Sequence, residues 1–258
     1  MPMIPLILTL ERFPILLPGF YGNTTYATPG MDALSLTGTV FDRVYATHCD
    51  PLQTLEQIWS QWKPSTTSVS FLSDREIPHL PSFFTSRQTC DAEDFFSRDF
   101  SNLETEKSLF WVHFQHWNWQ KLDAWLVGKE ILALLSVSGL PAEKELEEDA
   151  LPMLHHTEIQ LPWWIRFPHE KYRALHIPHL LTPADFGTLW ENASPDAIRR
   201  TEVLTQSPPR WSLVTDEWFL TAMDDLVELY SKPNDWWEQN DVADRCPDVV
   251  ENLANSLP

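Results

Sequence analysis

Glycine is scarce in this chain. Its 258 residues include 7 glycines against 21 prolines. Loops that cradle phosphates need glycine for close backbone approach. No G-x-G-x-x-G, G-x-x-x-x-G-K-[ST] or G-x-S-x-G occurs, so a nucleotide-binding loop and a hydrolase nucleophile elbow both lose support. Cysteine is nearly as rare. Cys49, Cys90 and Cys246 are odd in number and form no C-x-x-C, which argues against a disulfide framework or a zinc–thiolate site and favours a reducing compartment. Positive charge is also short. Eighteen Lys and Arg face 37 Asp and Glu, a net charge of −19. Nucleic-acid binders carry a basic footprint, so no nucleic-acid partner is expected. No stretch reaches the roughly 18 apolar residues of a membrane span. The N-terminal "MPMIPLILTLERFPILLPGF" has no basic leader, and Pro5, Glu11 and Pro14 interrupt it; it does not read as a signal peptide. The expectation is a cytoplasmic protein with no membrane association.

What is present is a globular composition, 43% hydrophobic and 21% charged, with 13 tryptophans. "LSLTGTVFDRVYATH" reads as strand, turn, strand. "DPLQTLEQIWSQW" opens with Asp50 as N-cap, Pro51 at the first helical position and Gln53 in capping-box position. Leu52, Leu55, Trp59 and Trp62 then share a helical face. "TSVSFL" (67–72) reads as a buried strand, 91–107 as an acidic helix or loop, 108–115 as a strand and 119–136 as a helix capped by Asn118. Residues 141–150 read as an acidic helix or linker, and "EIQLPWWIRF" returns to a strand. Thr182 with Pro183, and Ser194 with Pro195, mark two further helix starts. Residues 216–230 present Phe219, Ala222, Met223, Leu226 and Tyr230 at helical spacing, with short helices near 234–244 and 247–255. The expected class is α+β, with a mixed β-sheet in the N-terminal part and a helical C-terminal third. The expected division is an N-terminal α+β lobe, 1–140, and a helix-rich lobe, 141–258, within one compact unit. A core seam of Leu55, Trp59, Leu122, Trp125, Leu126, Phe219, Met223 and Leu226 follows from the helical faces.

Candidate chemistry is thin. His113 and His116 lie three apart in a strand and point to opposite faces, which suits structural histidines better than a chelate. "HEKYR" (169–173) resembles half of a zincin helix, but Arg173 stands where the second histidine is needed. A proline separates His176 from His179. His155, His156, His169, His176 and His179 are the only residues on which a metal-dependent hydrolase could be built. No catalytic residue and no cofactor is otherwise indicated. Trp236 and Trp237 stand beside Glu238 and Asp241, as aromatic anchors rimmed by acids do at interfaces. Glu217, Asp224 and Glu228 would share a face of the 216–230 helix. With the two tryptophans they form a candidate docking face for a protein partner with basic or apolar surface. The plain alternative is that the acidity only aids solubility.

From Phe41 to Ser212 the order of features resembles the type VI secretion adaptor chaperones. An early strand and helix ("VYATHCDPLQTLEQIW") is followed by Arg166-Phe167 and then "EKYRALHIPHLLTPADFGTLW" with its Leu-Thr-Pro helix start. Pro168-His169-Glu170 stands where such proteins carry Tyr-Asp-Pro. The resemblance implies a non-enzymatic, cytoplasmic, bacterial effector-binding protein; with the acidic docking face, the expected function is a non-catalytic protein that engages an effector or toxin, as an adaptor or as an immunity-type inhibitor.

Overall fold

The computed structural model describes residues 5–64, 68–97, 108–139 and 153–257. The first half runs β1 (Leu6–Leu10), α1 (Pro29–Ser35), β2 (Thr39–Phe41), α2 (Pro51–Ser60), β3 (Val69–Ser73), β4 (Phe84–Thr89), α3 (Ala92–Ser97), β5 (Leu109–Phe114), α4 (Trp119–Leu126) and β6 (Ala133–Ser136). Then follow α5 (His156–Ile159), β7 (Trp163–Ile165), β8 (Leu175–Ile177) and α6 (Phe186–Asn192). The chain closes with β9 (Glu202–Ser207), β10 (Arg210–Thr215), β11 (Trp218–Met223), β12 (Leu226–Ser231) and α7 (Pro247–Ala254).

Eight strands form one mixed sheet in the order β4-β3-β5-β1-β6-β7-β2-β8. All are mutually parallel except β7, which runs antiparallel to β6 and β2. Parallel strands need crossovers, and the helices that supply them cover both faces. The strand β1, "LILTL", is buried along its whole length, and its alternate side chains part between two cores. Leu6, Leu8 and Leu10 join Met31 and Leu34 of α1 and Leu122, Trp125 and Leu126 of α4. Ile7 faces Leu55, Ile58 and Trp59 of α2 and Phe186 and Leu189 of α6. Trp59, Trp62 and Trp111 meet edge-on or tilted, with ring centroids 4.9–5.8 Å apart, a geometry favoured by ring quadrupoles.

The predicted cap of α2 forms: Asp50 accepts from the Leu52 amide at 2.9 Å. Thr182 and Asp185 make a capping box ahead of α6. Three predicted helices are corrected. The span 119–136 is α4 followed by β6; the chain leaves the helix at Val127, whose backbone is non-helical, and turns at Gly128 with φ 68°. The region 216–230 is no helix, and the C-terminal third is not helical. β9 to β12 form a four-stranded antiparallel sheet, with Asp224 at φ 53° in the turn between β11 and β12. The misleading spacing has a physical origin. β11 is buried on both faces: Phe219 packs with Tyr230 on one core, Leu220 with Leu213, Leu229 and Leu253 of α7 on another. Two apolar faces erase the alternation that betrays a strand. Met223 is consequently half-buried and Leu226 is 60% exposed, outside the expected seam, whose other six members are buried. Likewise 34–35 belong to α1 rather than to a strand, and 234–244 holds only a 3-10 turn at Ala243–Arg245. The acidic stretch 141–150 and residues 98–107 lie outside the described residues.

Candidate functional site

In open α/β sheets ligands bind beyond the carboxyl ends of the parallel strands. At that edge a cavity of about 420 Å3 lies between the ends of β1, β3 and β6 and the start of α2. The lining side chains come directly after apolar runs: Glu11 and Arg12 after β1, Arg75 after β3, Ser138 and Gly139 after β6, and Cys49 and Asp50 ahead of α2. Glu158 from α5 and Arg210 from β10 close the far side.

The strand ends are tied to one another. The Glu11 amide donates to Phe114 O at 3.0 Å and the Phe13 amide to Ser138 O at 3.2 Å. The Arg12 amide donates to Ser138 Oγ at 2.8 Å, and Arg12 holds φ 53°. A left-handed backbone at a non-glycine residue carries strain and clusters at functional positions. Gly139 abuts the backbone of Thr157 and Glu158, where a Cβ would collide with their carbonyl oxygens. Glycine is therefore required for α5 to close on the pocket.

The charges are arranged unequally. Glu11 is 3% exposed, and its Oε1 takes Arg75 at 3.0 Å and His113 Nε2 at 3.2 Å. Arg210 reaches Glu158 at 3.3 Å. Burial pushes the Glu158 carboxyl above its ordinary value, against the opposing pull of Arg210. Burial likewise raises the Cys49 thiol, opposed by a bond from Ser207 and by the Arg210 charge. A raised pKa keeps that sulfur a thiol at neutral pH rather than a thiolate. Arg12 is exposed and makes no ion pair among the described residues.

The residues singled out from sequence lie elsewhere. His113 is a buried structural histidine whose Nδ1 meets Thr9 Oγ1 at 3.2 Å; His116 is exposed beside Asp74. His155 and His156 both bond Glu238, at 3.0 and 2.8 Å. His169 stands against Tyr172, His176 bonds Asp42 at 2.8 Å, and His179 lies half-buried after β8. Among the described residues no three His, Cys, Asp or Glu side chains are placed to hold a metal ion. Glu217 sits in the β10–β11 turn, Asp224 in the β11–β12 turn, and Glu228 on β12, where it accepts from Tyr230 at 2.8 Å. The helical face expected to join these three does not exist. Trp236 packs edge-on to His156, and Trp237 is 60% exposed.

The pocket residues left a trace in the sequence: "LILTL-ER", "VSFLSD-R" and "ALLSV-SG" each place polar residues just past a short apolar run. Three such ends, read as parallel strands, would have marked the edge where the pocket lies.

The fold is known from solved structures. The chain is similar to a 2-O glycosaminoglycan sulfatase (TM-score 0.69, 11% identity, 99% of this chain and 91% of that one). It is also similar to the phosphonate monoester hydrolase of Agrobacterium radiobacter (TM-score 0.69, 11% identity, 100% and 95%). A third likeness is to an alkaline phosphatase superfamily protein from Vibrio parahaemolyticus (TM-score 0.62, 11% identity, 92% and 80%). No family model matches the sequence, and no curated protein does. At such identities the likeness establishes the fold. It overturns the type VI adaptor resemblance, and with it the reading as an adaptor, chaperone or immunity protein, since the similar structures are a sulfatase, a phosphonate monoester hydrolase and an alkaline phosphatase superfamily protein.

Proposed function

We propose that this chain is of the hydrolase class and takes the tetrahedral oxyanion of a sulfate or phosphate ester into the pocket between β1, β3, β6 and α2. The observation that carries the reading is Arg12: a strained, exposed guanidinium at the carboxyl end of the central strand, with its charge uncommitted among the described residues. A guanidinium presents a planar fork of donors matched to sulfate and phosphate oxygens. Arg75, half-buried beside it, supplies a second fork that is partly spent on Glu11. The N-terminus of α2 adds its dipole, although Asp50 already takes the Leu52 amide, so the arginines dominate. The names of the similar proteins, a sulfatase and a phosphonate monoester hydrolase, agree with such an anion.

For hydrolysis the pocket lining offers Cys49 Sγ and Ser138 Oγ as nucleophiles. Glu158 lines the same space, and its negative charge favours the protonated Cys49 thiol; a thiol nucleophile must lose that proton, and the ionised Glu158 is a carboxylate of the lining that can accept it. The hydrolase alternative drawn from sequence required a metal on the five histidines, which the fold disperses. The pocket's own Glu11 is spent on Arg75 and His113. The described residues do not fit a metal.

The test is calorimetric titration with inorganic sulfate and phosphate, beside release of p-nitrophenol from p-nitrophenyl sulfate and p-nitrophenyl phosphate. Saturable anion binding that weakens tenfold or more in Arg12→Ala, with slow release from one ester, is the expected result. No saturation by either anion and no release would rule the reading out.

A further inference from the structure

A second and larger cavity, about 760 Å3, opens among the loop after β1, the end of β2 and the segment after β12. Its lining is aromatic: Phe20, Tyr21, Tyr26, Trp236 and Trp237. Trp237 is 60% and Tyr26 51% exposed, an unusual outlay of large apolar rings on a surface. The rings are held in place before any ligand arrives. Tyr21 donates to Phe41 O at 2.7 Å and accepts from the Trp163 amide at 3.1 Å. Asn23 braces the loop from inside, accepting from the Thr25 amide at 2.8 Å and donating to Tyr26 O at 3.3 Å. Tyr26 leans on Trp119, centroids 5.3 Å apart, and Trp236 on His156.

Among the lining residues only Asp42 is charged. His176 Nδ1 meets its Oδ1 at 2.8 Å, and among the described residues no side chain donates to Oδ2. We propose that this cavity binds a neutral saccharide, one sugar face stacked on Trp237 or Tyr26 and its hydroxyls donating to Asp42. A pyranose has an apolar C–H face and a polar rim, and this lining offers rings beside a single carboxylate. The volume falls in the range that holds a ligand of several rings, roughly 300–1,000 Å3, and exceeds what a lone quaternary ammonium fills. An anionic ligand is disfavoured, because Asp42 has no Lys or Arg beside it in the lining and the chain carries −19 overall. The site is independent of the Arg12 pocket.

Cellohexaose, maltohexaose and neoagarohexaose, each titrated against tryptophan fluorescence and by calorimetry, test the proposal, with choline as the cationic control. At least one saccharide should saturate. Trp237→Ala and Asp42→Asn should each weaken it tenfold or more, while Leu226→Ala, a distant exposed site, leaves it unchanged. Should Trp237→Ala not fold, Tyr26→Ala reads the same stack. Inorganic sulfate titrated in parallel reports on the Arg12 pocket alone, and Trp237→Ala should not alter it. Saturation by choline in place of the sugars, no saturation at all, or wild-type affinity in the ring variants would overturn the proposal.

Discussion

Two groups of charged side chains meet at the short helix α5, and they differ in one respect that decides their roles. Glu238 accepts from His155, His156 and Lys232, the last at 3.1 Å, and the Lys232 and Glu238 side chains are 7% and 3% exposed. Burial alone would raise the Glu238 carboxyl; the two histidine bonds and the Lys232 charge outweigh it and hold it well below the carboxylate range. That cluster is closed. On the other side of α5, Glu158 and Arg210 border open space with Arg12 at its lip. Density of titratable groups therefore does not mark a site here. His155 and His156 are spent on fastening α5 to the loop after β12, and the arginines without any motif line the cavity.

The largest effect should come from opening the closed group. Glu238→Gln leaves Lys232 buried without its counter-charge. Removing one partner of a buried pair costs about 3–5 kcal/mol, to be read by chemical denaturation. A loss under about 1 kcal/mol would show that the cluster relaxes into water. Leu126→Ala, at 1% exposure in the core beneath α4, should cost about 2–5 kcal/mol. Leu226→Ala, placed by the hairpin at the surface, should stay within about 0.5 kcal/mol. Equal costs would restore the helical seam and contradict the β11–β12 turn.

The pH dependence separates the groups next. The depressed Glu238 stabilises the fold above its unfolded value of about 4.3, and that contribution is lost as pH falls toward its lower folded value. His155 is raised, chiefly by its bond to Glu238. Its contribution is full below about 6.5 and is lost as pH rises through the raised value. Stability should thus peak between those limits in the wild type and flatten there in Glu238→Gln, measured as melting temperature against pH. At the open pocket the sign differs. Protonating the raised Glu158 removes a negative charge beside Arg210, so sulfate should bind more tightly as pH falls through that carboxyl's range. The smallest stability effect belongs to Arg12→Ala, within about 0.5 kcal/mol, because its side chain is exposed and unpaired among the described residues.

Local signals were legible where the chemistry is local. Asp50 with Pro51, and Thr182 with Asp185, announce helix starts because a side chain meets an amide two or three residues on. The runs "TSVSFL" and "LFWVHF" announce buried strands through their own composition. The C-terminal sheet was not legible, because β11 is apolar on both faces and its spacing of Phe219, Ala222, Met223 and Leu226 imitates a helix. Nor was the pocket. Glu11, Cys49, Arg75, Ser138 and Arg210 are far apart in the chain and share no spacing. What the sequence by itself determined is the acidic character, the absence of phosphate-loop and thiolate motifs, and the elements β2, α2, β3, β5, α4, β7 and α6. Only the tertiary structure decided that seven parallel strands share one sheet, that His155 and His156 are consumed on Glu238, and that Arg12 makes no ion pair among the described residues at the pocket. The reason is physical. Helix caps and strand burial depend on neighbours within a few residues, whereas strand order is set by long-range pairing, and pairing decides which side chains meet.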